Sequence, residues 1–225
     1  MAQMTKIGLF PLNIVMFPNA SVPLHIFEPR YRELVKVSVE EKKPFGINLV
    51  DSQRLYQTGC TVEVSDITQR YPDGRMDIII TGKMRYTLHS LREGEALYYT
   101  GIVDFFDDDD TQEVDATLKQ QCISLYNEIV ETAFPTSGDE YFASATTPEP
   151  LSFFIAQKAG LDVLRKQELL EMRSETQRLQ TLKQFMEELL PDLREKRRIS
   201  EVIMSDGYLP NSLPGFWGNT EEQGE

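Results

Sequence analysis

The residues able to carry covalent chemistry are few and scattered. Cys60 and Cys122 are the two thiols, and His25 and His89 the two histidines. A catalytic cysteine needs a base or another charge to hold it as thiolate. Cys122 instead falls in the series Leu118, Cys122, Leu125, Ile129, one apolar face of a helix, and reads as core. Two isolated thiols and two distant histidines show no zinc-ligand spacing. The chain's Gly-Lys pair is Gly82-Lys83. A phosphate-binding loop would need glycine where Asp77 stands and Ser or Thr where Met84 stands, so the pair reads as a turn at a strand end. The run Asp107 to Asp110 lacks the alternating ligands and mid-loop glycine of a calcium loop and reads as a solvated connector. There is no G-x-S-x-G elbow, and no acidic pair stands out as acid and base. The expectation is no enzyme, no metal and no cofactor, with His25 a structural residue.

Charge and hydropathy narrow the partners. The 225 residues carry a net charge of −13, with 40% hydrophobic and 10% aromatic residues. That composition supports a buried core. The negative charge opposes binding to nucleic-acid phosphates and to anionic membranes. No apolar run approaches the roughly 20 residues that span a bilayer. Pro11, Asn13 and Pro18 interrupt the N-terminal apolar stretch, which therefore does not read as a secretory signal. A cytoplasmic location is expected.

Residues 7–106 read mainly as strands. They include Phe45–Val50, the alternating Cys60–Ile67, Met76–Thr81, Arg85–His89 and Ala96–Phe106. Tyr71-Pro72-Asp73-Gly74-Arg75 is a tight turn, since proline pre-sets one dihedral and Asp-Gly accepts positive φ. Such closely spaced strands suggest a meander curling toward a barrel. One helix interrupts them, with Pro29 in its first turn, Tyr31, Leu34, Val35 and Val39 on its apolar side, and Lys42, Lys43 and Pro44 at its end. Beyond Val114 the pattern is helical. Thr146-Thr147-Pro148-Glu149 and Ser174-Glu175-Thr176-Gln177 match capping boxes, and Asp162 can cap a helix between them. The last helix carries a seam at Leu179, Leu182, Met186, Leu189 and Leu193 that runs past Pro191, which predicts a bend rather than a break. Arg194, Lys196, Arg197 and Arg198 complement its dipole, and Ile199, Val202 and Ile203 form a second apolar patch. The expected boundaries are a β lobe over 1–110, a helical lobe over 111–206 and a mobile tail over 207–225.

Several of these strings, taken in order, resemble one family. The opening from Ile7 to Tyr31 contains Phe10-Pro11-Leu12, Phe17-Pro18 and Pro23-Leu24-His25-Ile26-Phe27-Glu28-Pro29-Arg30-Tyr31. Gly59-Cys60, the Pro72-Asp73-Gly74-Arg75 hairpin, the strand to Gly82 and Arg85-Tyr86 follow. Lys166-Gln167-Glu168-Leu169-Leu170-Glu171 and Arg178-Leu179 complete the series. Together they look like the substrate-binding N-terminal domain of Lon-type proteases over residues 7–204, in the form of its stand-alone members that lack the ATPase and peptidase domains. The resemblance implies an α+β fold: an N-terminal PUA-like β pseudo-barrel with one inserted helix, then a C-terminal helical bundle with a long last helix.

It also implies a non-enzymatic module that binds exposed apolar segments in a groove between the two lobes. The partner would be an unfolded or partly unfolded protein segment, or a dedicated protein partner. Candidate contacts are Phe27, Arg30 and Tyr31 at the helix start, and Tyr71 and Arg75 at the hairpin. Two other readings stay open: a small-ligand protein or enzyme using the same cleft, and RNA binding by analogy with other PUA-like folds, which the charge opposes. The oligomeric state is unknown at this level; the long last helix permits self-association without requiring it.

Overall fold

A computed structural model describes residues 4–51, 54–110, 113–134, 143–144, 146–147 and 149–205. The expected tail over 207–225 lies outside the described residues, as does most of the loop expected after Phe134.

Among the described residues six strands come first: β1 Thr5–Leu12, β2 Ser21–Ile26, β3 Phe45–Val50, β4 Leu55–Arg70, β5 Met76–Arg92 and β6 Tyr99–Phe106, with helix α1 Pro29–Glu41 between β2 and β3. Four helices follow among the described residues: α2 Ala116–Ala133, α3 Leu151–Lys158, α4 Val163–Glu171 and α5 Glu175–Ser205. The sheet order is β2-β5-β4-β3-β1-β6, and β5 also pairs with β6. That extra pairing closes β5, β4, β3, β1 and β6 into a ring. Within it β1 and β3 are parallel and the other neighbours antiparallel. The length of β5 makes closure possible, because its first half, Met76 to Thr81, pairs with β2 and its second half, Arg85 to Arg92, pairs with β6. β2 is left outside the ring and, among the described residues, pairs with β5 alone.

The sequence reading split β5 in two at Gly82-Lys83. The structure corrects this: the strand runs through. Gly82 is there because the Phe17 carbonyl crosses it, and a Cβ at position 82 would lie 2.0 Å from that oxygen. Glycine inside a strand marks such an approach of two backbones. Gly82 N–H donates to Ala20 C=O (2.9 Å), and Asn19 N–H donates to Gly82 C=O (3.0 Å), which ties the loop before β2 to the middle of β5.

Local signals set the helices. α1 begins with Glu28 as N-cap and Pro29 in its first turn, and ends at Lys42, which takes φ 52°. Its buried residues are Tyr31, Leu34, Val35 and Ser38, whereas Val39, expected on the apolar side, is exposed. Ser38 is accommodated because its hydroxyl donates to Lys43 C=O. Asp115 caps α2, Asp162 caps α4, and Ser174 Oγ accepts from Gln177 N–H at the start of α5. The box at residues 146–149 opens no helix itself: α3 starts at Leu151, whose N–H donates to the Glu149 carboxylate. α5 continues past Pro191 and, at 1.5 Å per residue, is about 46 Å long. Leu179, Leu182, Met186 and Leu190 are buried along it, and from Arg194 onward, where side chains are described, it is exposed.

One apolar cluster joins Val15, Phe17, Leu49 and Tyr56 from the strand region to Cys122, Tyr126, Phe153, Ile155, Leu170 and Leu179 from the helices. A second fills the space between α1 and the sheet, including Phe10, Tyr31, Leu34, Phe45, Ile47 and Ile78. A third, around Leu9, Tyr86 and Val103, lies where β1, β5 and β6 meet.

Candidate functional site

Where the helices meet the strands, the joint is both apolar and ionic. Asp108, just past β6, accepts from Arg178 of α5 at both oxygens (2.6 and 2.5 Å) and from Arg85 of β5 (2.6 Å). Arg178 also donates to Glu175 (2.7 Å), to Ser152 Oγ (2.8 Å) and to Met172 C=O (2.9 Å). Glu175 in turn accepts from the backbone N–H and the hydroxyl of Ser152 at the start of α3. Both guanidiniums lie against the Phe153 ring, 4.3 Å from its centroid for Arg178 and 5.3 Å for Arg85. Burial alone would raise the Asp108 carboxyl, but its two arginines hold it below the usual carboxylate range. Burial lowers Arg85, more than Asp108 restores. Burial would also lower Arg178, yet Asp108 and Glu175 leave it raised. Asp108 is therefore no solvated connector. It links the barrel to α3 and α5, and reading Asp107 to Asp110 as one acidic run concealed it.

Beside this joint lies a concave cleft of about 370 Å³ between the 18–21 segment and α3. Pro18, Ala20, Pro150, Phe153 and Phe154 supply its apolar wall. Lys158 is at its rim, 4.6 Å from the Phe154 ring centroid. The ionic joint fixes the Phe153 end of α3, and the bonds of Asn19 and Ala20 to Gly82 fix the opposite wall. No residue of this cleft was singled out by the sequence reading as a contact.

The five residues that were singled out divide into two places, and none lines the cleft. Phe27 is 60% exposed and stacks beside His25, with ring centroids 6.1 Å apart. The Tyr71 ring stands edge-to-face with His25, centroids 5.9 Å apart, and Arg75 lies 5.3 Å from the Tyr71 centroid. Asp77 binds this group together: it pairs with His25 Nδ1 at 2.5 Å and accepts from Tyr71 OH at 2.8 Å. Those two bonds, His25 first, hold the Asp77 carboxyl below its ordinary range, and the bond to Asp77 raises the Tyr71 phenol. His25 is thus an exposed member of a polar cluster at the hairpin end of β2. Arg30 and Tyr31 turn the other way. Arg30 Nε donates to Glu28 (2.8 Å), and its guanidinium lies 4.5 Å from the Tyr31 centroid. Tyr31 itself is buried, stacked on Phe10 at 3.7 Å. It is a core side chain, and that corrects its place among the surface contacts.

The thiols are equally settled. Both are buried, and burial pushes Cys60 up to about 12 and Cys122 up to about 11. Among the described residues no group of three His, Cys, Asp or Glu side chains could hold a metal ion, and no helix is long and apolar enough to cross a membrane.

Comparison with known proteins agrees with this architecture. The chain is similar to the N-terminal domain protein of Lon from Xanthomonas campestris, with a TM-score of 0.62 and 22% identity over 79% of this chain and 96% of that one. It is similar to the N-terminal domain of the Mycobacterium avium complex Lon protease, with a TM-score of 0.62 and 15% identity over 81% of this chain and 98% of that one. Among curated sequences it is 22% identical to Lon protease 1 of Hydrogenovibrio crunogenus over 94% of this chain and 27% of that protein. It is 26% identical to the Lon protease of Parabacteroides distasonis over 56% of this chain and 17% of that protein. The chain thus spans about a quarter or less of the length of these curated relatives. The profile of the ATP-dependent protease La (LON) substrate-binding domain matches residues 6–188, and the chain belongs to that family.

Proposed function

We propose that this chain is a polypeptide-recognition module without catalysis of its own, which captures exposed apolar segments of unfolded or partly unfolded proteins in the cleft between the 18–21 segment and α3. The observation that carries this reading is the cleft itself. Its wall is proline, alanine and phenylalanine, its volume of about 370 Å³ suits a bulky apolar side chain, and its sides are anchored by the Asp108–Arg178 joint and the Gly82 crossing. Burial of an apolar side chain there contributes about 25 cal/mol per Å² removed from water, against the cost of association. Membership of a substrate-binding domain family supports the same reading. Both thiols are buried and raised, which favours binding over nucleophilic chemistry. The net charge of −13 disfavours nucleic acid as the partner.

The test places a photo-cross-linking amino acid at Lys158, on the rim, and titrates the protein with folded and chemically unfolded forms of one model substrate. Cross-links to the unfolded form alone are expected. Equal capture of both forms, or no capture of either, would overturn the reading.

A further inference from the structure

β2 is the strand whose outer edge the sheet leaves open: it pairs with β5 and, among the described residues, with no other strand. Which of its backbone groups face outward follows from the ladder. Gly82 N–H bonds Ala20 C=O, so the backbone of Ala20 points toward β5. Successive residues alternate along the strand, so Val22, Leu24 and Ile26 also point toward β5, and Ser21, Pro23 and His25 present their groups to the outside. Pro23 fits this phase, because a proline is tolerated in a strand where its missing N–H would have faced away from the ladder. The side chains of Ser21, Pro23 and His25 are exposed as well, and Ile26 is buried.

We infer that this edge is a second part of the polypeptide-binding surface, on which a bound segment lies extended and adds a strand alongside β2. The inference rests on the polypeptide-binding reading above and deepens it. Two features of β2 single out an extended polypeptide as the occupant. First, the open groups are the carbonyls of Ser21, Pro23 and His25 and the N–H groups of Ser21 and His25, at the spacing of another strand, and they carry no preference for side chains. Second, the edge is continuous with the cleft. Ser21 both lines the cleft and begins the strand, and His25, Phe27 and Tyr71 stand at the far end. Six residues at about 3.4 Å each give an edge of roughly 20 Å, so a segment of about eight residues reaches from the cleft to the Phe27 patch. A second copy of this chain is the poorer fit. An antiparallel β2–β2 pair centred on Pro23, the middle of the three outward-facing residues, sets Pro23 opposite Pro23, with no N–H on either side. A diverse polypeptide can place its own N–H groups against the carbonyls of Ser21, Pro23 and His25.

The test uses the intact chain and a capped octapeptide of alternating Val and Thr with Phe at both ends. Two further octapeptides carry the same side chains, with N-methyl groups either on the amides of one alternate set or on those of the other. Only one set can face β2. Methylation of that set is expected to weaken binding about tenfold, and methylation of the other to leave it unchanged. In amide hydrogen exchange, saturating peptide is expected to slow Ser21 and His25 while leaving Val22 and Leu24 as they were. Binding that is indifferent to both methylation patterns would overturn the edge inference and leave the cleft reading standing. Absence of binding by any octapeptide would overturn the edge inference, while the capture of unfolded substrate at Lys158 would still decide the cleft. Concentration-dependent dimerisation that peptide does not reverse, with protection of the same amides, would overturn it in favour of a β2–β2 interface.

Discussion

Arg178 grips Asp108 with two parallel bonds, Nη1 to Oδ1 at 2.6 Å and Nη2 to Oδ2 at 2.5 Å, across 70 positions of sequence. Arg178 and Arg85 are both buried, so removing Asp108 leaves Arg178 with Glu175 alone and takes from Arg85 its carboxylate bond. Asp108→Asn is expected to cost about 3–5 kcal/mol of stability at neutral pH, measured by urea denaturation. The sign of the pH dependence follows from the carboxyl's depressed pKa. Its contribution is complete above the ordinary value near 3.8 and is lost as pH falls through the lower folded value. The gap between wild type and variant should therefore close below about pH 4. A gap that persists unchanged in acid would show that Asp108 does not act through its charge.

Gly82 tests the crossing that shapes the cleft. Gly82→Ala forces a Cβ onto the Phe17 carbonyl, where it would be 2.0 Å away and facing backbone that cannot yield cheaply. A loss of more than about 2 kcal/mol is expected, together with weaker capture of unfolded substrate. Gly94→Ala is the comparison. Gly94 has φ +81°, and a methyl group added there would meet nothing within 4 Å, so its cost should be the backbone strain alone, about 1 kcal/mol.

The hairpin-end cluster makes a prediction about titration. Tyr71→Phe removes one of the two bonds that hold the Asp77 carboxyl down. The Asp77 carboxyl should then titrate at higher pH than in the wild type when followed by NMR. An unchanged midpoint would mean that the Tyr71 hydroxyl does not bond Asp77 in solution.

Phe27 separates binding from stability. With most of its ring in water, Phe27→Ala should change stability by no more than about 0.5 kcal/mol. Octapeptide binding should weaken in the same variant if the Phe27 patch receives the far end of the segment. Arg75→Glu should weaken it further for a peptide with an acidic end.

The thiols predict silence. Buried, and raised to about 12 and about 11, Cys60 and Cys122 should resist a thiol-reactive disulfide reagent at pH 8 in the native protein and react together on unfolding. Rapid native reaction at either would contradict the core placement.

What the amino-acid string determined alone is what short stretches encode. Glu28-Pro29 starts α1 and Tyr71-to-Arg75 turns the β4–β5 hairpin, because proline and glycine restrict or free the dihedrals of their own positions. Asp115, Asp162 and Ser174 cap helices for a reason equally local, a side-chain oxygen within reach of the next turn's N–H groups. The order of motifs was legible too, and with it the family. The tertiary structure alone decided that Gly82 lies inside a strand under the Phe17 carbonyl, that Asp108 leaves the acidic run for Arg85 and Arg178, and that Tyr31 is sealed beneath Phe10. It also decided that the cleft forms between Ala20 and Phe154, and that β2 keeps an open edge. Each of these depends on barrel closure and strand register. Those set which distant residues meet, and no local preference in the chain carries that information.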